Sequence, residues 1–330
     1  MRGLVEQANK VFLENFKPET CFERAIFYSW ACKLDKCCTF CYMSTLPKEL
    51  RTKERVRSIP SLLAETIICK KLGWDYGFLS GGIGVFSDEK MVRLLKETNK
   101  ILGEKIWVNI GVLSKKQMEK FKPYIKGVVG TIEVLDPGLH KKICPSKPIG
   151  PVINMFRQSK EIGLKNAMTL IVGLGETIED FKLLEQFIKE NNISKIHIYG
   201  LNIQEGTVFE GQDPPTKEYQ AEWIARTRIA FPKLDIQCGI WSDRAEYVCI
   251  LLKAGANSIS KFPALRKFGS EAAKKVENEA RKAGRKFRGS LTRLPEINVE
   301  KEVGCIDKEY RNLTAKKLRQ YLKQMMKGSS

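Results

Sequence analysis

This chain is poor in histidine, in long apolar runs and in repeated metal-binding pairs, and each shortage excludes a class of protein. No stretch approaches the ~20 uninterrupted apolar residues of a membrane-spanning helix. Met1 to Lys10 contains no apolar run of the signal-peptide kind, so a cytoplasmic location is the expectation. His140 and His197 are the only histidines, and neither a His-x3-His pattern nor a second Cys-x2-Cys pair occurs, which leaves a zinc finger without its usual ligands. Ten cysteines in 330 residues are too sparse for a disulfide scaffold. Aromatic residues do not interleave regularly with basic ones, as stacking on single-stranded nucleic acid requires. There is no low-complexity segment and no separable second domain.

What is present points to a folded, soluble-type core. Hydrophobic residues make up 43% of the chain and charged residues 29%, enough apolar content to bury a large interior. The charge is lopsided: 57 Lys and Arg face 38 Asp and Glu, for a net +19. Residues 261–330 alone hold 19 basic and 8 acidic side chains. A basic surface of this kind can serve nucleic acid or an acidic partner. A Lys-rich solvated face on C-terminal helices explains it more simply, and nucleic-acid binding is not expected.

Short β-rich runs alternate with helical patterns almost to the end of the chain. Strands are expected at Ala25–Trp30, Gly77–Ser80, Lys105–Ile110, Gly127–Glu133, Ala167–Val172, Lys195–Leu201, Asp235–Ile240 and Ala256–Ser260. Helical patterns fall between them, at Ser61–Leu72, Asp88–Leu102, Lys115–Phe121, Ile149–Ile162, Thr177–Lys189, Lys217–Phe231 and Asp243–Lys253. Gly73, Gly103, Gly163 and Gly255 each follow a helical stretch, where a left-handed C-cap suits glycine. Eight strand-then-helix units imply parallel strands joined by right-handed crossovers, and eight is the number that closes a barrel. The expected fold is therefore α/β: a (βα)8 TIM-type barrel with additional C-terminal helices. An N-terminal helix and the barrel occupy residues 1–270. Residues 271–330 form a basic helical extension packed on it, with helices at Glu271–Arg288 and Leu313–Met326.

Four cysteines crowd into one short segment, Cys32-Lys-Leu-Asp-Lys-Cys37-Cys38-Thr-Phe-Cys41, directly after the first expected strand. In a parallel barrel the loop at a strand's carboxyl end is where chemistry sits. Three thiolates on such a loop can hold a soft metal centre, zinc or iron–sulfur. A structural zinc wants a fourth tight ligand, and Cys37 supplies it only awkwardly because adjacent side chains diverge. Three ligands and an open position suit a catalytic cluster better.

The Cys38-Thr39-Phe40-Cys41 segment resembles the second half of the C-x3-C-x2-C signature of the radical S-adenosylmethionine (SAM) superfamily, aromatic residue included. The usual first cysteine position holds Leu34, so Cys32 is the nearest candidate and the spacing becomes C-x5-C-x2-C. That departure resembles the HmdB-like family, radical SAM proteins associated with assembly of the iron-guanylylpyridinol cofactor of [Fe]-hydrogenase. The resemblance implies metal ligation by Cys32, Cys38 and Cys41, with the set Cys32, Cys37 and Cys41 remaining open. Leu79-Ser80-Gly81-Gly82 is similar to the glycine-rich SAM-binding turn of the superfamily, and Glu133 ends the fourth strand where relatives place a polar SAM contact. Ile171 to Thr177, Gly206-Thr207 and Ala254 to Ile259 resemble biotin synthase and HydE-like maturases. Together these similarities span roughly residues 25–265.

The resemblance implies a [4Fe-4S] cluster and SAM as cofactors, an external one-electron donor, and cleavage of SAM to a 5′-deoxyadenosyl radical that acts on a small pyridinol-type precursor. Cofactor contacts are expected from Phe40, Ser80, Gly81 and Gly82, and further from Glu133, Gly173 and Asn202. Asn109, Thr169, Asn202, Cys238, Trp241 and Ser260 are candidates for the substrate pocket, although filling a barrel layer is the commoner role for each. Cys144, Cys238 and Cys249 form no evident set for a second, sulfur-donating cluster. Other biotin-synthase-like chemistry, of a HydE-like maturase or an amino-acid mutase, is the alternative within the superfamily. A zinc-stabilised nucleic-acid-binding protein is the alternative outside it.

Overall fold

The computed structural model describes residues 1–53, 56–82 and 85–327 of the chain. Ten strands are present: β1 Glu19–Cys21, β2 Glu23–Phe27, β3 Asp75–Ser80, β4 Ile106–Asn109, β5 Ile125–Glu133, β6 Lys165–Val172, β7 Ile193–Gly200, β8 Asp235–Gly239, β9 Ser258–Ser260 and β10 Lys286–Arg288. β2 to β9 form one parallel sheet in sequence order. Its outer strands meet through a single parallel bridge, Phe22 to Ile259, so the sheet nearly closes into a barrel. Phe27 pairs in register with Ser80, and Ser80 with Asn109, so these strands end at one level and their loops leave from the same face.

The strands hold this arrangement because both of their faces are apolar. Ile26, Leu79, Val108, Val128, Ile196 and Ile198 are buried in the main core that includes the surrounding helices. Ala25, Phe78, Trp107, Val129 and Ala167 make a separate apolar cluster inside the barrel. Each such buried aliphatic or aromatic side chain contributes on the order of 2 kcal/mol of transfer free energy. Below that layer the interior turns polar: Glu23 accepts hydrogen bonds from Lys195 Nζ (2.7 Å), Ser258 Oγ (2.6 Å) and Gln237 Nε2 (2.5 Å).

All eight expected barrel strands are present, and the helices Asp88–Leu102, Lys115–Phe121, Ile149–Glu161 and Lys217–Ala230 lie where periodicity puts them. Ser87 caps the first of these by accepting from Lys90 N. Gly73, Gly103, Gly163 and Gly255 adopt φ of 67°, 79°, 77° and 103°, the left-handed geometry expected of them. The C-terminal region departs from expectation. The helix from Glu271 stops at Lys282, and residues 286–288 form β10, which pairs in parallel with β1. Strands of three residues carry no periodic signal, and both owe their existence to each other. The last helix, Lys308–Lys327, lies against the helix Ile59–Lys71 and covers its outer side, so residues 59–69 are buried all round. Within that contact Ser61 Oγ and Tyr321 Oη are 2.7 Å apart, and Glu65 pairs with Arg24 (2.6 Å) and Arg57 (2.7 Å). No helix among the described residues is long and apolar enough to cross a membrane.

Candidate active site

The mouth of the barrel, at the carboxyl ends of its strands, opens into a cavity of about 270 Å³. Cys32, Cys38 and Cys41 line it together with Phe40, Ser80, Gly81, Gly82 and Glu133. Eight of the ten residues expected at the metal and cofactor sites therefore face one space. Gly173 and Asn202 do not line it. Gly173 N donates to Glu176 Oε1 (2.6 Å), and Asn202 Oδ1 accepts from Arg244 Nη2 (2.8 Å), so both serve the neighbouring loops. Of the expected substrate-pocket residues, Asn109 and Thr169 line the cavity, whereas Cys238, Trp241 and Ser260 do not.

The cysteine loop has almost no regular structure, and discrete hydrogen bonds fix it instead. Arg51, nearly buried, reaches under it and donates to Leu34 O (2.5 Å), Asp35 O (2.6 Å) and Cys37 Sγ (2.8 Å). Cys32 N donates to Arg51 O (2.8 Å), and Thr39 N donates to Ile143 O (2.9 Å). Cys37 thus turns its sulfur to Arg51 and is absent from the cavity wall, while Cys38 is on it. Burial pushes the Cys41 thiol up to about 12, with the neighbouring thiols of Cys38, Cys37 and Cys32 acting in the same direction. Cys38 is pulled down to about 7, chiefly by a hydrogen bond from the Cys144 thiol, against its burial and with help from the Lys147 charge. Cys32, Cys38 and Cys41 all line the cavity, and thiols, one of them lowered towards ionisation, are donors of a kind that fits a soft metal centre.

Opposite the loop, the β3 turn is shaped by close approach. Tyr28 N donates to Ser80 O and Tyr28 Oη donates to Gly82 O, both at 2.8 Å. A Cβ on Gly82 would lie 1.0 Å from Ala31 O, one residue before Cys32. Glycine here makes room for the cysteine loop itself. Glu133 ends β5 with φ of +70°, beside a register shift against β6. A left-handed conformation in a residue other than glycine costs about 1–2 kcal/mol, and here it carries the carboxylate into the cavity. Lys147 Nζ sits 2.9 Å from Glu133 Oε1, and Thr169 Oγ1 donates to Oε2 at 3.2 Å. Burial alone would lower the Lys147 pKa, but Glu133 and the neighbouring thiols raise it overall, so it stays charged.

Lys147, Lys261, Arg51 and Cys144 are the site residues that sequence reasoning missed. Both lysines line the cavity, and Cys144 stands beside Cys38, although the sequence showed no set into which it fitted. Among 57 basic residues, no local pattern marks two lysines and an arginine as different from the rest. His197 is fully buried in the barrel, its Nδ1 3.0 Å from Met168 O, and burial drops its pKa to about 3. It is a neutral structural group. A wider depression of about 700 Å³ lies outside the barrel beside the helix Glu271–Lys282, where Lys275–Glu246 and Lys282–Glu279 pairs occupy its charges.

The model of the radical SAM superfamily matches residues 29–188, from the end of β2 through the fifth barrel strand and the helix that follows. The chain belongs to the radical SAM superfamily. It is 34% identical over 298 residues to an uncharacterized protein of Methanocaldococcus jannaschii, covering 88% of this chain and 81% of that protein. It is 27% identical over 160 residues to the biotin synthase of Clostridium botulinum, covering 47% of this chain and 49% of that enzyme, so it spans about half of that relative's length. The structure of the FeFe-hydrogenase maturase HydG from Carboxydothermus hydrogenoformans superposes with a TM-score of 0.69 at 17% identity, over 99% of this chain and 82% of that one, a likeness of fold. The cofactors of this superfamily member are a [4Fe-4S] cluster and SAM. The family match sets aside the reading of a zinc-stabilised nucleic-acid-binding protein.

Proposed function

We propose that the chain is an HmdB-like radical SAM enzyme acting on a small pyridinol-type precursor during assembly of the iron-guanylylpyridinol cofactor of [Fe]-hydrogenase. In this reading Cys32, Cys38 and Cys41 hold the cluster, and Phe40, Ser80, Gly81, Gly82 and Glu133 surround SAM. The observation that carries it is the C-x5-C-x2-C loop whose three thiols share a cavity wall, with the intervening Cys37 sulfur bonded to Arg51 instead. When bound, the cluster and SAM supply reductive cleavage of a sulfonium C–S bond to a 5′-deoxyadenosyl radical, given one electron from an external donor.

The residues of the chain contribute position and exclusion. Arg51 ties the cysteine loop down through the carbonyls of Leu34 and Asp35. Tyr28 fixes the Ser80–Gly82 turn through Gly82 O. The Glu133–Lys147 pair offers a carboxylate of fixed orientation to a polar ligand group. Phe27, Trp30, Phe78 and Tyr199 give the cavity aromatic walls, which limit water around a reactive species.

Anaerobic reconstitution tests the reading. The expected product is a brown protein with ~4 irons per chain, lost in Cys38→Ala and kept in Cys37→Ala. A colourless protein with one zinc overturns the enzyme assignment, and the reverse behaviour of the two variants replaces the ligand set. The substrate assignment predicts deuterium transfer from a labelled pyridinol precursor into 5′-deoxyadenosine. Transfer from a labelled amino acid alone would move the chain to the mutase-like chemistry of other biotin-synthase relatives.

A further inference from the structure

The cavity contains two lysines and a single carboxylate. Lys147 occupies that carboxylate, at 2.9 Å from Glu133 Oε1, and also lies 3.2 Å from Thr131 Oγ1. Lys261 has no such partner. Among the described residues no carboxylate lies within ion-pair distance of its Nζ and no oxygen accepts from it. Glu133 and Cys41 favour its charge without an ion pair to it, and two rings pack against it: Nζ is 4.4 Å from the centre of the Tyr199 ring and 5.8 Å from that of Phe27.

The fold goes to some length to place this ammonium. Lys261 follows β9 directly and takes φ of +67°, a left-handed conformation that lysine adopts only at a cost of about 1–2 kcal/mol. Its stem passes over Gly239, where a Cβ would stand 3.1 Å from Lys261 Cγ and 2.4 Å from Tyr199 Cδ1. Strained backbone, a glycine and two rings thus converge on one half-buried cation at the cavity wall. Cation–π contact supplies ~0.5–2 kcal/mol, which falls short of what a desolvated ammonium loses. What it lacks among the described residues is a paired anion, and the cavity that it lines has room for one.

We propose that Lys261 anchors the carboxylate of the substrate, so that the enzyme takes a small organic acid whose carbon body packs between the aromatic walls. This rests on the radical SAM reading of the cavity and adds the charge of the molecule that enters it. SAM also bears a carboxylate, so the test separates the two.

Reconstituted holoenzyme saturated with SAM is titrated by calorimetry with acetate, benzoate and inorganic phosphate, and with acetamide and benzamide as neutral counterparts. Wild type is expected to bind at least one carboxylate ~10-fold tighter than its amide. Lys261→Met should abolish that preference and Lys261→Arg should restore most of it, with the affinity for SAM unchanged in both. Equal binding of acids and amides by the wild type overturns the proposal. So does a preference for phosphate alone, or a preference that survives in Lys261→Met. A fall in SAM affinity in Lys261→Met also overturns it, because Lys261 would then serve SAM. Cluster content and uncoupled SAM cleavage are measured on the same samples. Their loss in the wild type would count against the enzyme reading, whereas their retention without a carboxylate preference counts against Lys261 alone.

Discussion

At the floor of the barrel, Glu23 accepts from Lys195, Ser258 and Gln237, and Lys195 also pairs with Asp235 at 2.7 Å. At the mouth, Lys261 has no ion-pair partner among the described residues, Glu133 and Lys261 both sit at positive φ, and three cysteines line the cavity. The same eight strands supply both ends, so the contrast cannot come from the sheet. It comes from what each end must do. A buried ionic group is tolerable when it is paired and hydrogen-bonded, and at the floor Lys195 has two carboxylate partners and Glu23 three donors. In the reading proposed above, the partners of the mouth arrive from outside. Strain and unpaired charge gather where a ligand can relieve them.

Substitutions at the two ends should therefore separate stability from cofactor retention. The largest loss of stability is expected from Glu23→Ala, which leaves Lys195 buried with Asp235 alone: about 3–5 kcal/mol by denaturant titration, with iron per folded chain unchanged. A loss of iron without loss of stability would erase the distinction between the ends.

Acid gives a graded version of the same experiment. Burial would raise the Glu23 pKa, but Lys195 and the Ser258 hydrogen bond pull it down from 4.5 to about 2. A lowered folded-state value means that its stabilisation is complete above pH ~4.5 and is lost as pH falls towards 2. Glu23→Gln should flatten the wild-type decline across that window. Identical slopes would show that Glu23 does not govern acid sensitivity.

Gly82→Ala acts at the mouth. Its methyl group meets Ala31 O, so the cysteine loop must shift, costing ~1–3 kcal/mol and more than half of the bound iron in reconstituted protein. Arg51→Ala should be milder in stability, about 1–2 kcal/mol, yet should lower iron retention several-fold because the loop loses three hydrogen bonds. A global unfolding caused by either substitution would show that the mouth supports the fold after all.

The barrel was largely legible in advance because its signals are local. Val128 and Val129, Ile171 and Val172, or Ile196 and Ile198 mark strands buried on both faces, and glycines such as Gly103 mark helix ends. The cysteine loop was legible for the same reason, since its ligand candidates fall within ten residues. The spacing could not choose between Cys37 and Cys38, which are neighbours in sequence. Their separation depends on Arg51, which takes hold of one sulfur from a helix beyond the loop. β1 and β10 were invisible because three residues have no periodicity, and each is a strand only when the other lies beside it.

By itself, then, the order of residues settled the alternation that closes a parallel barrel and the cluster of thiols at its first loop, both being patterns repeated over a few residues. Only the folded chain decided that Arg51 holds the Cys37 sulfur, that Lys147 pairs with Glu133, and that Lys261 lines the cavity with no ion-pair partner among the described residues. Those facts depend on distances between residues far apart along the chain, and electrostatics in a dry cavity is set by such distances rather than by neighbours in sequence.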